Sequence, residues 1–303
     1  MFAPAPWTAV QETSPAAHGN ERRFRVDYRP MYRLIACDID DTILDEEGRL
    51  PDSNRNALRR LHEQGVAVVL SSGRATVSVR GIAEKIYPLT DDTYLLSFNG
   101  ARVVTARSDR VLYEKFLEPQ VVVDIADYAR RESLILHGFS ATAFITEPRG
   151  EPADERSRKY GRDVAMERVV VPDLGAALPD GSPKLLVIDE HETLVRHRQQ
   201  LKEIGAGRLV STFSKWHYLE LVHPAVNKGA ALHRLGEHLG IPVSEMLAVG
   251  DAPNDREMLA ASGMGVAVAN AHEELKQAAD VVLDRSAGDG AVEEVERRFF
   301  PGT

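Results

Sequence analysis

Residues 33–42 have the sequence RLIACDIDDT, in which an apolar run of strand length leads directly into acidic residues. A second apolar run, VAVVL at 66–70, follows a segment with helical spacing, and another helical segment comes after it. The order strand, helix, strand, helix predicts a parallel sheet with helices on both faces. Strands covered on both faces are apolar throughout instead of alternating, as these two are.

This rhythm stops after residue 100 and returns near residue 216. The strands and helices between these points follow an order typical of antiparallel sheets, which predicts an α+β domain inserted into the first one. We therefore predict an α/β fold with a Rossmann-like parallel-sheet core at 31–100 and 216–303, and an inserted α+β domain at 101–215.

The first residues of the chain differ from the rest. Residues 1–30 are rich in Pro, Ala and polar residues and show neither helical nor strand spacing, so we predict a flexible tail. Met31 stands directly before the first strand, which makes it an alternative start of translation.

Composition excludes several classes of protein. Of the 303 residues, 43% are apolar and 27% charged, which is typical of a globular protein and excludes bulk disorder. Lys and Arg number 37 against 46 Asp and Glu, and this net charge of −9 disfavours nucleic acid and anionic membranes as partners. Cys37 is the single cysteine, so no intramolecular disulfide is possible. We predict a soluble, cytoplasmic protein and leave its oligomeric state open.

Carboxylates follow two of the predicted core strands. Asp38 and Asp40 end the first strand two residues apart, so both side chains can point the same way. Asp251 follows the later strand MLAVG, and Asp255 lies four residues on, where a helix begins. Carboxylates gathered at one sheet edge repel each other unless a cation neutralises them, and hard oxygen ligands suit Mg²⁺.

Groups suited to binding phosphate lie at the same predicted edge. Ser72 and Gly73 follow the second strand, where a hydroxyl and backbone N–H groups at a helix start make a phosphate cradle. Lys228 begins a predicted helix and offers a fixed positive charge. Each of these signals is common by itself, and it is their order along the chain that is informative.

Together the motifs resemble those of the haloacid dehalogenase (HAD) superfamily of aspartate-nucleophile phosphatases. Within it the sequence is most similar to the Cof-type branch, whose C2-type cap domain is inserted between the second and third motifs. The likeness spans about residues 31–300, and the cap is its least specific part. The motifs are Asp38-Ile39-Asp40-Asp41-Thr42, Ser72-Gly73-Arg74, Ser97-Phe98-Asn99-Gly100-Ala101, Asn227-Lys228-Gly229-Ala230-Ala231-Leu232, Gly250-Asp251 with Asn254-Asp255, Gly265-Val266-Ala267-Val268-Ala269-Asn270-Ala271 and Gly288-Asp289-Gly290.

The resemblance implies a role for each motif residue. Asp38 is the implied nucleophile that forms an aspartyl-phosphate, and Asp40 the implied acid and base. The implied Mg²⁺ ligands are Asp38, the main-chain oxygen of Asp40 and Asp251, with Asp255 close behind. The implied phosphate-binding groups are Ser72, the Gly73 amide, Lys228 and Asn254. Candidates for contact with the rest of the substrate are Arg74, Asn99, His137 and Arg149.

Two positions depart from the family pattern. Asp41 stands where the family usually has Gly, and its charge either strengthens metal binding or faces solvent. Ser72 stands where this branch often has Thr, and the hydroxyl is kept.

The predicted function is a Mg²⁺-dependent phosphomonoester hydrolase acting on a small phosphorylated metabolite, with sugar phosphates as the first choice. One alternative is a phosphoryl transferase such as a phosphomutase, which releases an isomer and little free phosphate. Another is a non-catalytic binding protein on the same scaffold. The complete set of motif residues argues against this second alternative.

Overall fold

The structure is a computed structural model that describes residues 32–301. The predicted tail at 1–30 and the alternative start at Met31 lie outside the described residues. The strands of the described chain are β1 (Leu34–Asp38), β2 (Ala67–Ser71), β3 (Tyr94–Ser97), β4 (Arg102–Thr105), β5 (Val111–Glu114), β6 (Ile135–Phe139), β7 (Ala143–Thr146), β8 (Glu167–Val170), β9 (Leu185–Ile188), β10 (Val210–Lys215), β11 (Tyr218–Val222), β12 (Met246–Gly250), β13 (Met264–Ala267) and β14 (Val281–Val282).

The α-helices alternate with these strands over most of the chain. They are α1 (Asp52–Glu63), α2 (Thr76–Ala83), α3 (Pro119–Arg131), α4 (Ala153–Val164), α5 (Leu174–Ala177), α6 (His191–Gly205), α7 (Lys228–Leu239), α8 (Arg256–Ala260), α9 (Glu273–Ala278) and α10 (Ala291–Phe299). No helix within residues 32–301 is both long and apolar enough to cross a membrane.

The larger sheet has eight strands in the order β14-β13-β12-β1-β2-β3-β4-β5. The first six of these run parallel, and β1 lies between β12 and β2. All five residues of β1 are buried, as expected for a strand covered on both faces. Helix α1 packs on α10, and α7 packs on α8. The predicted α/β core with a parallel sheet is confirmed.

The predicted boundary at residues 100 and 101 is wrong. Strands β4 and β5 continue the large sheet as an antiparallel hairpin beside β3, with Val103 and Val104 buried in the core of that sheet. A hairpin at the edge of a parallel sheet has the same sequence pattern as the antiparallel strands of the inserted domain, which we call the cap. The apolar alternation therefore could not assign this hairpin to one domain.

The second predicted boundary, between residues 215 and 216, is displaced as well. The smaller sheet has the order β10-β11-β9-β6-β7-β8, so β11 at Tyr218–Val222 belongs to the cap and pairs with β9 and β10. Leu219 and Leu221 point into the cap core, while Glu220 between them faces the other side of the sheet. The chain re-enters the parallel core only after this strand.

A cluster of buried residues joins the cap to the core. Helices α3 and α6 pack against strands of the smaller sheet, and α4 contributes to the cluster that joins cap and core. Phe98, from the loop after β3, meets Phe139 of β6 with ring centroids 6.0 Å apart. The cluster also contains Ala75 and Ala101 of the core. The cap therefore packs on loops at the carboxyl edge of the parallel strands.

Candidate active site

Three carboxyl groups converge at the carboxyl edge of the large sheet. Asp38 is the last residue of β1, Asp251 follows the neighbouring strand β12, and Asp255 comes four residues later. One carboxylate oxygen of each lies within 4.8 Å of the others, and all three side chains are buried. The parallel pairing of β1 with β12 therefore brings together residues that are more than 200 positions apart in sequence.

Lys228 is the cation that accompanies these carboxylates. Its Nζ donates to Asp38 Oδ1 and, at 2.5 Å, to Asp255 Oδ1, and its side chain is fully buried. Lys228 begins α7, whose N-cap Asn227 accepts a hydrogen bond from the Ala230 N–H at 2.7 Å. The lysine therefore stands at the start of a capped helix, and two carboxylates hold its ammonium group.

The charges in this cluster do not balance. Burial raises the pKa of Asp38 well above its usual value, and Asp255 and Asp251 raise it further while Lys228 opposes them. Burial, followed by the charge of Asp255, raises the pKa of Asp251 to about 6. Burial alone would lower the pKa of Lys228, but Asp38 and Asp255 outweigh it and the pKa rises. Three buried carboxylates share one ammonium group, so a divalent cation with a preference for oxygen ligands fits the site.

The three carboxylates differ in how many of their oxygens are already bonded. Asp255 Oδ2 accepts from the backbone N–H groups of Asp251 at 3.1 Å and Ala252 at 3.2 Å, while its Oδ1 accepts from Lys228. Asp251 accepts one hydrogen bond, from Thr42 Oγ1 at 2.9 Å. Asp38 and Asp251 therefore retain oxygens for a cation, whereas Asp255 holds Lys228 and the turn after β12.

Asp40 lies apart from this cluster. Its carboxylate accepts two hydrogen bonds from the guanidinium of Arg74, at 2.9 Å from Nε and 2.5 Å from Nη2. Half of its side chain is exposed (51%), against 9% for Asp38. The side chain of Asp40 therefore faces open space next to the nucleophile candidate and is not part of the three-carboxylate cluster.

The loop after β2, at residues 72–74, carries the groups predicted to bind phosphate, and we call it the phosphate loop. Asp38 and Ser71 are direct neighbours in the pairing of β1 with β2, so Ser72 and Gly73 begin beside Asp38. The Arg74 N–H donates to Ser72 Oγ at 3.1 Å. A Cβ atom on Gly73 would lie 3.0 Å from the Oδ1 atom of Asn99, so glycine leaves room for that side chain.

A left-handed turn places Asn99 against this loop. Phe98, Asn99 and Gly100 have φ angles of +52°, +56° and +96°. The Asn99 N–H donates to the Ser72 carbonyl at 2.9 Å, and Asn99 Oδ1 accepts from Asn254 Nδ2 at 3.2 Å. A Cβ on Gly100 would lie 2.3 Å from the Asn227 carbonyl oxygen, so this position requires glycine. The turn connects the phosphate loop to the start of α7.

Two predicted substrate residues lie elsewhere. His137 is fully buried in the cap, where its Nε2 is 2.8 Å from Ser157 Oγ and its ring packs on Phe144. Arg149 donates to the Leu134 carbonyl at 3.1 Å and to Glu147 at 3.2 Å. The polar groups that these side chains contact lie inside the cap, so this structure does not bring the two residues to the site in the core.

Three residues of the site region have roles that the sequence did not indicate. Thr42 bonds Asp251, and Asn270 donates to the Asp41 carbonyl at 2.7 Å while its own Oδ1 accepts from the Ala287 N–H at 2.9 Å. Phe98 leaves β3 in a left-handed conformation and packs on the cap. All three stand within motifs of the resemblance, so position in a motif was the available signal.

Comparisons with known proteins agree with this geometry. Residues 35–295 match the model of the haloacid dehalogenase-like hydrolase family. HMP-PP phosphatase of Cronobacter sakazakii is 32% identical over 245 residues, which cover 81% of this chain and 87% of that protein. Phosphatase YwpJ of Bacillus subtilis is 32% identical over 273 residues, which cover 82% of this chain and 94% of that protein. A crystal structure of a haloacid dehalogenase-like hydrolase from Bacteroides thetaiotaomicron superposes with a TM-score of 0.80 at 29% identity, over 88% of this chain and 100% of that one.

Proposed function

Because the chain belongs to the haloacid dehalogenase-like hydrolase family and is a phosphatase of its Cof-type branch, we propose that it hydrolyses the monoester of a small phosphorylated metabolite through an aspartyl-phosphate on Asp38. The observation that carries the proposal is the environment of Asp38. Its carboxylate ends the central strand, is bound by Lys228, and lies beside the oxygens of Asp251.

The residues that would hold Mg²⁺ follow from the same environment. Members of this family generally use Mg²⁺, and the donor set here consists of hard carboxylate oxygens with excess negative charge. We assign the ion to Asp38, Asp251 and the main-chain oxygen of Asp40, with Asp255 positioning Lys228 behind them. Mg²⁺ would neutralise charge on the nucleophile and on the phosphoryl oxygens.

The reaction divides into two steps. An oxygen of Asp38 attacks phosphorus, the bond from phosphorus to the ester oxygen breaks, and Asp40 donates its proton to that departing oxygen. Asp40 then takes a proton from water, the water oxygen attacks phosphorus, and the acyl-phosphate bond breaks to release phosphate and restore Asp38. The exposed side of Asp40 is suited to both proton transfers, because leaving group and water enter from there.

The phosphoryl group would be held by the cradle around Asp38. Ser72 Oγ, the Gly73 N–H and Lys228 would bind its oxygens, and the Asn254 amide lies next to the same loop through Asn99. Such fixed donors stabilise the charge that builds on the phosphoryl oxygens in the transition state.

The substrate class is the open part of this proposal. Sugar phosphates follow from the resemblance to the Cof-type branch, and two relatives that are 31–32% identical to this chain are named HMP-PP phosphatases. Both are small phosphorylated compounds, and both belong in the first substrate panel.

The test is phosphate release from sugar phosphates, HMP-PP and an aryl phosphate, with Mg²⁺ and with chelator. We expect Asp38→Asn to remove turnover, because an amide oxygen is a poor nucleophile, while Asp52→Asn at an exposed helix start leaves turnover unchanged. Turnover by Asp38→Asn at the wild-type rate would refute the assignment. Analysis of the organic product separates hydrolysis from a phosphomutase reaction, which yields an isomer and little phosphate.

A further inference from the structure

We propose that Arg74 is the positioning residue of Asp40, holding its carboxylate outside the three-carboxylate cluster and next to the departing oxygen. This inference rests on the proposed phosphatase mechanism and deepens it. The resemblance gave Arg74 as a candidate for substrate contact. The contacts of its guanidinium instead point to a partner within the protein.

The geometry of the pair is the first support. Nε and Nη2 of Arg74 reach the two different oxygens of Asp40, at 2.9 and 2.5 Å, which is the fork arrangement that fixes the plane of a carboxylate. The remaining guanidinium nitrogen, Nη1, lies 3.3 Å from Ser78 Oγ, in the first turn of α2. The guanidinium is therefore engaged on both sides by the protein.

The backbone of Arg74 is equally well fixed. Its N–H donates to Ser72 Oγ at 3.1 Å, and its carbonyl accepts from the Phe98 N–H at 2.9 Å. The guanidinium thus extends from the phosphate loop itself. The loop proposed to bind the phosphoryl group therefore also carries the group that holds Asp40.

The charge distribution explains why such a residue is needed. Asp38, Asp251 and Asp255 already place three carboxylates around one lysine. Asp40 is two residues from Asp38, and a free carboxylate there is a competing oxygen ligand for a cation bound by Asp38 and Asp251. The Arg74 fork gives Asp40 its own counter-charge and fixes the orientation of its carboxylate. Each carboxylate oxygen keeps a second lone pair, on which the proton of either transfer is carried.

The functional test is a double-mutant cycle of Arg74→Gln and Asp40→Asn on an alkyl phosphate, the kind of ester whose leaving group needs a proton. Because general acid–base catalysis contributes typically about 10²–10⁴-fold, we expect Asp40→Asn to lower kcat by that range. Arg74→Gln should lower kcat about 10- to 100-fold with little change in KM, and should add less than about twofold in the Asp40→Asn background. Arg74→Lys, which keeps the charge without the fork, should be intermediate.

The matched control is Arg80→Gln, which removes an arginine of the following helix α2. Arg80 pairs with Asp109 at 2.7 Å, and its replacement should change kcat less than about twofold. If the effects of Arg74→Gln and Asp40→Asn multiply, or if Arg74→Gln raises KM, Arg74 binds substrate directly and the proposal is overturned.

A structural measurement tests the proposal independently of turnover. In a crystal structure of Arg74→Gln with Mg²⁺, we expect the Asp40 carboxylate to turn toward Asp38 and Asp251. An Asp40 side chain that keeps its wild-type position would overturn the proposal. Absence of phosphate release by the wild-type protein would instead refute the proposed function, and this crystal structure would still decide whether Arg74 positions Asp40.

Discussion

Asp41 has a φ angle of +55°, which glycine adopts easily and most L-residues adopt only with strain. The family usually has Gly here, and the left-handed backbone is the physical reason. Asp is among the residues that tolerate this conformation, and the Asn270 side chain donates to the Asp41 carbonyl and fixes the turn. The Asp41 side chain is exposed, which favours the solvent-facing interpretation of its charge.

His137 leads to a prediction about acid stability. Burial, with a smaller contribution from Arg168, lowers the pKa of His137 to about 3. The unfolded chain binds this proton near pH 6.5, so between these values the unfolded state holds more protons and stability falls as pH is lowered. We expect protonation of His137 in the unfolded chain to lower the unfolding free energy by about 2–3 kcal/mol between pH 7 and pH 4.5.

The measurement is urea denaturation at several pH values in wild type and in His137→Phe. The phenyl ring keeps the packing on Phe144 and Tyr160 but has no group to protonate, so the variant should lose less stability on acidification. His233→Phe, at an exposed position of α7, is the matched control and should follow wild type. Equal pH slopes in wild type and His137→Phe would contradict this prediction.

Among the secondary-structure elements, the turn after β3 contacts both the core and the cap. It bonds the phosphate loop through Asn99, packs against the N-cap of α7 through Gly100, and carries the Phe98 ring to Phe139 in the cap. The cap and the phosphate loop are therefore connected by three consecutive residues. Movement of the cap must change the surroundings of this turn.

A double-mutant cycle on Phe98 and Phe139 tests that connection. Both rings are about 1% exposed, and truncating a buried Phe to Ala costs about 3–5 kcal/mol. An edge-to-face pair contributes about 0.5–1.5 kcal/mol beyond its buried area, so Phe98→Ala and Phe139→Ala together should cost less than their sum by that amount. Chemical denaturation measures all four proteins, and strict additivity would show that the rings act independently.

The elements also show how far sequence reasoning reaches. The carboxyl ends of β1, β2 and β12 were predictable, because buried parallel strands are continuous apolar runs and their ends meet at one edge. The sequence could not predict to which sheet β4, β5 and β11 belong, because antiparallel strands have the same apolar pattern in either domain. The Arg74–Asp40 ion pair was not predictable either, because it depends on the rotamers of both side chains. Nor was the left-handed conformation of Phe98, because residues of this type rarely adopt it.

In the molecule as a whole, the net charge of the chain and the charge of the carboxylate cluster are both negative. The chain has a net charge of −9, and the buried cluster of Asp38, Asp251 and Asp255 carries three carboxylates against one lysine. Lys228 neutralises only part of the charge of Asp38, Asp251 and Asp255, so repulsion among them opposes folding of the core when no divalent cation is bound. The proposed metal site is therefore expected to link the stability of the whole fold to Mg²⁺.

We expect Mg²⁺ to raise the melting temperature and chelator to lower it. Saturation at 100 times the dissociation constant adds about 2.7 kcal/mol to the unfolding free energy, which in a protein of this size corresponds to a shift of several degrees. Ca²⁺-free and Mg²⁺-free buffer with chelator gives the reference, and calorimetry or fluorescence melting gives the readout.

The matched variant for this prediction is Asp251→Asn, whose amide oxygen can still accept from Thr42. The raised pKa of Asp251 means that its ionised form is disfavoured in the folded state, so the wild-type stability without metal falls as pH rises from about 4 toward 6. In chelator above pH 6, Asp251→Asn should therefore be at least as stable as wild type, and Mg²⁺ should no longer raise its melting temperature. A variant that is less stable than wild type in chelator, yet is still stabilised by Mg²⁺, would mean that Asp251 supports the fold through its hydrogen bond and is not a ligand of the cation.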